Sequence, residues 1–152
     1  MTSVFVLNGP NLNLLGQRRP EVYGRTTLAE VEAMCRDEAD RLGLDLVFRQ
    51  SNHEGELVDW IQECSREFVA GASIGAVYNP AGHTHTSVAL HDAIEAMELP
   101  VIELHLSNIH AREEWRHHSY ISLVARGIVM GLGVLGYPLA INGLYQLTRR
   151  PR

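Results

Sequence analysis

The chain predicts a single α/β domain: a doubly wound, five-stranded parallel sheet with helices on both faces. Three observations carry that prediction. Its 152 residues suit one domain with one hydrophobic core. Five short apolar runs alternate with segments whose apolar residues recur at helical spacing, and parallel neighbours in a sheet require such covering crossovers. The conspicuous polar clusters each follow a strand, at the edge where open α/β sheets carry their ligands. Together these give a flavodoxin-like arrangement without internal repeat, low-complexity segment or domain linker.

The elements follow in order. Residues 3–8, SVFVLN, form a short apolar run ending in turn residues, as a buried strand should. Thr27 with Glu30 gives a capping-box signature. Leu28, Val31, Cys35 and Leu42 then fall near one helical face until Gly43 stops the helix. Residues 44–50 read as a second strand. After the polar SNHEGE segment, Leu57, Trp60, Ile61, Cys64 and Phe68 recur at spacings of three and four, one stripe of a second helix. Residues 73–79 form strand three, 84–97 a third helix, and 101–106, after Pro100, strand four. A polar loop over 107–119 leads to a fifth strand near 124–131 and a last helix over 133–148.

Composition narrows the partners. Net charge is −5 and the basic residues are scattered, which argues against nucleic acid or an anionic membrane as partner. The apolar stretch 127–141 is shorter than the roughly 17–25 residues of a spanning helix, and it holds four glycines and a proline. The N-terminus lacks a basic n-region and reads as a strand rather than a targeting segment. Two cysteines, Cys35 and Cys64, are too few for a disulfide framework and sit among apolar residues, as reduced core thiols of a cytoplasmic protein would.

The chemistry collects in three clusters: NGPNLNLLG after strand one, NPAGHTHTS after strand three, and HLSNIHAREEWR after strand four. Eight histidines invite a zinc reading, yet no ligand spacing supports one, and no metal is expected. His105 is different. It follows Glu103 by two, so strand alternation puts both on one face, where the carboxylate can hold one ring nitrogen while the other meets a substrate. That describes a positioned acid or base. In GQRRPEVYG, Arg18 and Arg19 precede Tyr23 by five and four residues. A free tyrosine is ionised in only about one molecule in a thousand at neutral pH. A neighbouring guanidinium, which keeps its own proton, favours the phenolate.

NGPNLNLLGQRRPEVYG, NPAGHTHTS, ELHLSNIHAREEWRHHS and GLGVLGY occur in the same order and spacing as in the type II 3-dehydroquinate dehydratases. The resemblance covers residues 3–147. It implies a flavodoxin-like domain assembled as trimers into a homododecamer, a tetramer of trimers. It further implies conversion of 3-dehydroquinate to 3-dehydroshikimate without metal or cofactor. Residue by residue, the resemblance makes Tyr23 the base, Arg18 the lid arginine beside it, and residues 16–25 a mobile lid. It gives Asn11 a water held against the enolate oxygen, and makes His105 the general acid with Glu103 fixing its ring. The substrate carboxylate is expected on Leu106 and Ser107, and the ring hydroxyls on Asn79, His85 and Arg116. Arg112 is expected beside Tyr23, and Asp92 across the trimer interface. Two positions depart from the family pattern. Arg19 stands where an acid is usual and adds charge to the lid, and His83 stands where an aromatic or leucine is common.

Two other readings come from different classes. One is a non-catalytic flavodoxin-like binder of an anion such as a nucleotide or phosphate, with the loop 8–13 as cradle, although NGPNLN has a single glycine. The other is a metal-dependent hydrolase. The same dehydration serves aromatic biosynthesis through shikimate or the breakdown of quinate.

Overall fold

A computed structural model describes residues 1–149; the last three residues of the domain expected over 1–152 lie outside it. The strands are β1 (Ser3–Asn8), β2 (Asp45–Gln50), β3 (Ser73–Asn79), β4 (Val101–His105) and β5 (Gly127–Met130). All neighbours pair in parallel, in the order β2-β1-β3-β4-β5. The order reverses between β1 and β3, the switch point at which such sheets bind ligands. The helices are α1 (Pro20–Tyr23), α2 (Leu28–Leu42), α3 (Glu54–Val69), α4 (Val88–Ala96) and α5 (Gly136–Thr148).

Strand alternation divides the core. Val4, Val6, Val77, Ile102 and Leu104 point to the face covered by α2 and α5; Phe5, Leu7, Ala76, Tyr78 and Val101 point to the face covered by α3 and α4. Cys35 and Cys64 fill one core each as free thiols, and burial pushes both up to about 12. No helix among the described residues is long and apolar enough to cross a membrane.

Several boundaries differ from the sequence reading. Thr27 does cap α2, accepting the Glu30 N–H at 3.2 Å, and Gly43 ends it with φ of 73°. The expected helix over 84–97 is two elements. A 3-10 turn, Ala81–His85, comes first, and α4 starts only where the Ser87 hydroxyl caps the Leu90 N–H at 2.9 Å. The strands are trimmed at their ends: β2 begins at Asp45, β4 stops at His105, and β5 spans Gly127–Met130 rather than 124–131. A 3-10 turn, Gly133–Leu135, occupies the expected start of the last helix. The polar segment after β4 is not featureless: it winds through short turns at Ile109–Ala111, Glu114–Arg116 and Ile121–Leu123.

Two glycines permit close backbone approaches, Gly75 near the amino end of β3 and Gly9 at the carboxyl edge. At Gly75 (φ 118°) β3 bulges, so that Ser3 pairs with Ser73 but Phe5 with Ala76; a Cβ there would lie 2.3 Å from the Pro100 carbonyl oxygen. At Gly9 a Cβ would lie 2.4 Å from the Pro80 carbonyl oxygen. The Gly9 N–H donates to the Asn79 carbonyl at 2.8 Å, so the loops after β1 and β3 are packed backbone to backbone. Gly9→Ala should therefore destabilise the fold by roughly 1–3 kcal/mol through overpacking. Gly55→Ala in α3, where a Cβ meets nothing within 4 Å, should instead stabilise by about 0.5–1 kcal/mol. Urea denaturation of both variants checks the pair, and equal midpoints would disprove the tight contact.

Candidate active site

A cavity of about 420 Å³ opens beyond the carboxyl ends of β1, β3 and β4, at the switch point. Each of the three strand-end loops supplies part of its wall. Asn11 and Leu12 come from the loop after β1, Asn79 and His85 from β3 and the turn behind it, and His105, Ser107, Arg112 and Arg116 from β4 and its loop. Arg18 and Tyr23 close it from the segment before α2. A more open hollow of about 480 Å³ between α4 and the loop before β5, walled by Ile94, Glu98, Leu99 and Arg126 among others, gathers no comparable chemistry.

Glu103 and His105 share a face of β4, as alternation predicts, on the side of α3 and α4. Glu103 Oε2 accepts from His105 Nε2 at 2.5 Å, with Glu103 fully buried and His105 nearly so. Because a carboxylate accepts only, Nε2 carries a hydrogen and Nδ1 is the ring atom left for the cavity. Three hydroxyls surround the carboxylate: Ser122 donates to Oε1 at 2.5 Å, Ser119 to Oε2 at 2.9 Å, and Thr84 lies 3.2 Å from Oε2. Burial pushes the Glu103 carboxyl up, but the hydrogen bonds and charge of His105 and the Ser122 and Ser119 hydroxyls outweigh it and hold it below its usual value.

Tyr23 is held by two arginines from different parts of the chain. Arg112 Nη1 donates to the phenol oxygen at 2.8 Å, and the Arg18 guanidinium carbon lies 4.7 Å from the centre of the ring. Arg112 Nη2 is buried and bonds to none of the described residues. Arg19 does not reach the cavity. Pro20 bars the right-handed helical conformation at the residue before it; Arg19 takes a left-handed one (φ 40°), and its side chain pairs with Glu21 at 3.3 Å. Of the two adjacent arginines, the fold brings Arg18 to the tyrosine.

The remaining residues singled out by sequence are placed as follows. Asn11 lines the cavity, and its backbone N–H, at φ of 69°, donates to Asn52 Oδ1 at 2.9 Å. His85 donates through Nδ1 to the His118 carbonyl at 2.8 Å, which turns Nε2 away from that bond. Burial lowers its pKa, reinforced by His105 and Arg116 and opposed by the His118 carbonyl and Glu103. Arg116 pairs with Glu113 at 2.7 Å and lies over the Trp115 ring, while Leu106 and Ser107 sit at the end of β4. Asn79 is not a free pair of ligand contacts. Its Nδ2 donates to the Tyr137 hydroxyl at 3.1 Å and its Oδ1 accepts the Ala81 N–H at 3.2 Å, so the fold uses much of its hydrogen-bonding capacity. Asp92 is exposed on α4, accepts from His91 at 2.8 Å and does not line this chain's cavity. Among the described residues no group of three or more His, Cys, Asp or Glu side chains is placed to hold a metal ion.

Sequence reasoning passed over Thr84, Ser119, Ser122 and Tyr137. The first three had a faint signal, since they flank the same polar clusters and Ser119 and Ser122 are spaced by one turn. Tyr137 had none: it lies in an apolar tail that reads as core. Its hydroxyl donates to Asn8 Oδ1 at 2.6 Å and accepts from Asn79, bridging the ends of β1 and β3 from α5. Burial pushes this phenol up, which keeps it a neutral donor.

Comparison with known proteins places the chain beside one family. The sequence model of the family Dehydroquinase class II matches residues 2–145. A 3-dehydroquinate dehydratase of Variovorax paradoxus (strain S110) is 61% identical over 144 residues, covering 95% of this chain and 99% of the relative. The 3-dehydroquinate dehydratase 2 of Ralstonia nicotianae is 59% identical over 152 residues, covering 100% of this chain and 98% of the relative. Among solved structures, a type II dehydroquinase from Butyrivibrio crossotus DSM 2876 matches with a TM-score of 0.89 at 36% identity, over 95% of this chain and 97% of that one. One from Propionibacterium acnes matches with a TM-score of 0.87 at 38% identity, over 99% and 98%.

The lowered Glu103 value has a consequence for stability. A carboxylate whose folded pKa lies below its unfolded value of about 4.3 stabilises the fold fully above that pH and loses the contribution as pH falls through the folded value. The unfolding free-energy gap between the native chain and Glu103→Gln should therefore be widest at neutral pH and narrow in the acid range. A gap that stays constant from neutral pH into acid would show that the ionised carboxylate is not what the three hydroxyls and His105 hold.

Proposed function

The chain belongs to the class II dehydroquinase family, and from that membership we propose that it removes water from 3-dehydroquinate to give 3-dehydroshikimate. The observation that carries the reading is the pairing of proton carriers on one cavity: a phenol held by two guanidinium groups and an imidazole held by a buried carboxylate. An elimination next to a ketone needs one group to take a carbon-bound proton and another to give a proton to the departing oxygen.

The roles are those the family resemblance implies, and the donors present are suited to them. Tyr23, as phenolate, takes the C2 proton beside the C3 ketone, and its electron pair moves into an enolate. Arg112 and Arg18 stabilise negative charge on the phenol oxygen, where it must reside before the proton is taken. Asn11 holds a water against the enolate oxygen. The enolate then reforms the ketone with expulsion of the C1 hydroxyl, which His105 protonates from the opposite side, so the elimination is stepwise and anti. Leu106 and Ser107 take the substrate carboxylate, His85 and Arg116 take ring hydroxyls, and Asn79 adds the one N–H that its bond to Tyr137 leaves.

Residues 16–25 act as the lid, whose closure excludes water from the Tyr23–Arg18 pair. The chain works as a trimer-based dodecamer, with Asp92 reaching a neighbour's cavity. Exposed Leu123, Leu132, Leu135 and Leu139 supply apolar surface for such contacts. Two buried free thiols suit a cytoplasmic enzyme, and its place in metabolism is aromatic amino-acid biosynthesis through shikimate.

Mixing the purified protein with 3-dehydroquinate should produce the ultraviolet band of the conjugated enone, at the same rate with and without EDTA. Absence of the band would overturn the reading, and chelator sensitivity would overturn its metal-free form. Tyr23→Phe should lower kcat by about 10²–10⁴-fold while substrate still binds. Arg18→Lys should also be severe, because an ammonium lacks the planar fork, whereas Arg19→Ala should be mild. The reverse order of the two arginine variants would reassign the lid residue.

A further inference from the structure

We propose that Thr84, Ser119 and Ser122 are positioning residues: a relay of hydroxyls that fixes both oxygens of Glu103 and thereby dictates that His105 delivers its proton from Nδ1. The inference deepens the dehydratase reading and rests on it for the role of His105.

Counting protons gives the relay its direction. Each hydroxyl has one proton to donate and lone pairs to accept with. Thr84 and Ser119 lie 2.6 Å apart, a shorter contact than the 3.2 Å from Thr84 to Glu103, so Thr84 donates to Ser119. Ser119 also accepts the Ser122 backbone N–H at 3.2 Å, which leaves its own proton for Glu103 Oε2 at 2.9 Å. Ser122 gives its proton to Oε1 at 2.5 Å. With His105 Nε2 on Oε2, the carboxylate is held by donors on both oxygens and cannot turn about its own axis without breaking one. Ser122 is the single hydroxyl on Oε1, so it sets the plane.

A carboxylate fixed in this way selects one state of the ring. His105 keeps its hydrogen on Nε2 whether neutral or protonated, and the proton gained or lost is the one on Nδ1. In the elimination the C1–O bond breaks, its electron pair goes to oxygen, and the Nδ1 proton completes the leaving water; His105 ends neutral with Nε2–H still on Glu103. The proton taken by Tyr23 returns through water to Nδ1 and resets the site. The relay also ties the loop after β4 to β3, since the Tyr120 N–H donates to the Thr84 carbonyl at 2.8 Å.

The test uses Ser122→Ala and Ser119→Ala, with Ser122→Thr as the conservative rescue, each first shown to be folded by its denaturation midpoint. The kcat for 3-dehydroquinate should fall roughly 10- to 100-fold in the alanine variants, the scale expected when a reacting group is misplaced. KM should change by less than about twofold, because no substrate contact is removed. Ser122→Thr should recover most of the loss. Nitrogen-15 spectra of the His105 ring should report one neutral tautomer, with hydrogen on Nε2, in the native chain and a mixture in Ser122→Ala. A single Nε2–H tautomer retained in Ser122→Ala, or a native kcat in both alanine variants, would overturn the proposal. If the native chain itself fails to turn over 3-dehydroquinate, the dehydratase reading fails instead, and the tautomer spectra still decide whether the relay orders the ring.

Discussion

Glu103 places a carboxylate with no solvent contact near the middle of a five-stranded sheet, and the carboxyl edge is organised by what that burial requires. Taking such a group out of water costs several kcal/mol even after relaxation. A hydrogen bond to a charged group returns about 1.5–3 kcal/mol, so a single partner would leave a deficit. Three donors, from His105, Ser119 and Ser122, bring the sum to the same order as the cost. The loop after β4 must therefore fold back over β4 to deliver its serines, and the same loop carries Ser107, Arg112 and Arg116 into the cavity. Compensation of one buried charge thus places residues on which the site depends.

The two proposed proton carriers are built on opposite physical terms. His105 is buried at the end of a central strand, with its ring fixed by a neighbour that is itself fixed. Tyr23 is half-buried on a four-residue helix and held from outside, by a guanidinium over its ring and another on its oxygen. Arg112 links the two, since it belongs to the loop tied to Glu103 and reaches Tyr23.

The fold was legible because its signals are local and repeated: strand runs, helical stripes, the Thr27 cap and the Gly43 stop. The misplaced start of α4 has a specific cause. In THTSVAL several residues can cap a helix, and periodicity alone does not say that the chain makes a 3-10 turn through His85 before Ser87 takes the role. At the site, Glu103 and His105 were legible because strand alternation is a strict rule. Arg18 and Arg19 were separable from motif spacing, and the structure adds a physical reason in the conformation that Pro20 imposes. Tyr137 and the serine relay were not legible, because each works through contacts made far along the chain. Tyr137 is 129 residues from Asn8, and Ser119 is 16 from Glu103.

Long-range contacts of this kind also explain why the floor of the cavity differs from the segment that carries Tyr23. Asn8 and Asn79 face each other in register at the ends of β1 and β3, and the Tyr137 hydroxyl bonds both from α5. Gly9 and Pro80 then bring the outgoing loops into backbone contact. Loosening any one of these leaves a buried polar group unpaired or a backbone clash, so the floor resists deformation. The segment that carries Tyr23 has no equivalent. Tyr23 contributes the partly buried edge of its ring to the core and otherwise meets the rest of the fold through Arg112. A bond between two partly solvated groups is cheap to break and remake. The cavity thus joins a floor pinned by buried hydrogen bonds to a segment whose tyrosine is attached by one partly solvated contact, so Tyr23 can shift without disturbing Asn8, Asn79 or Tyr137.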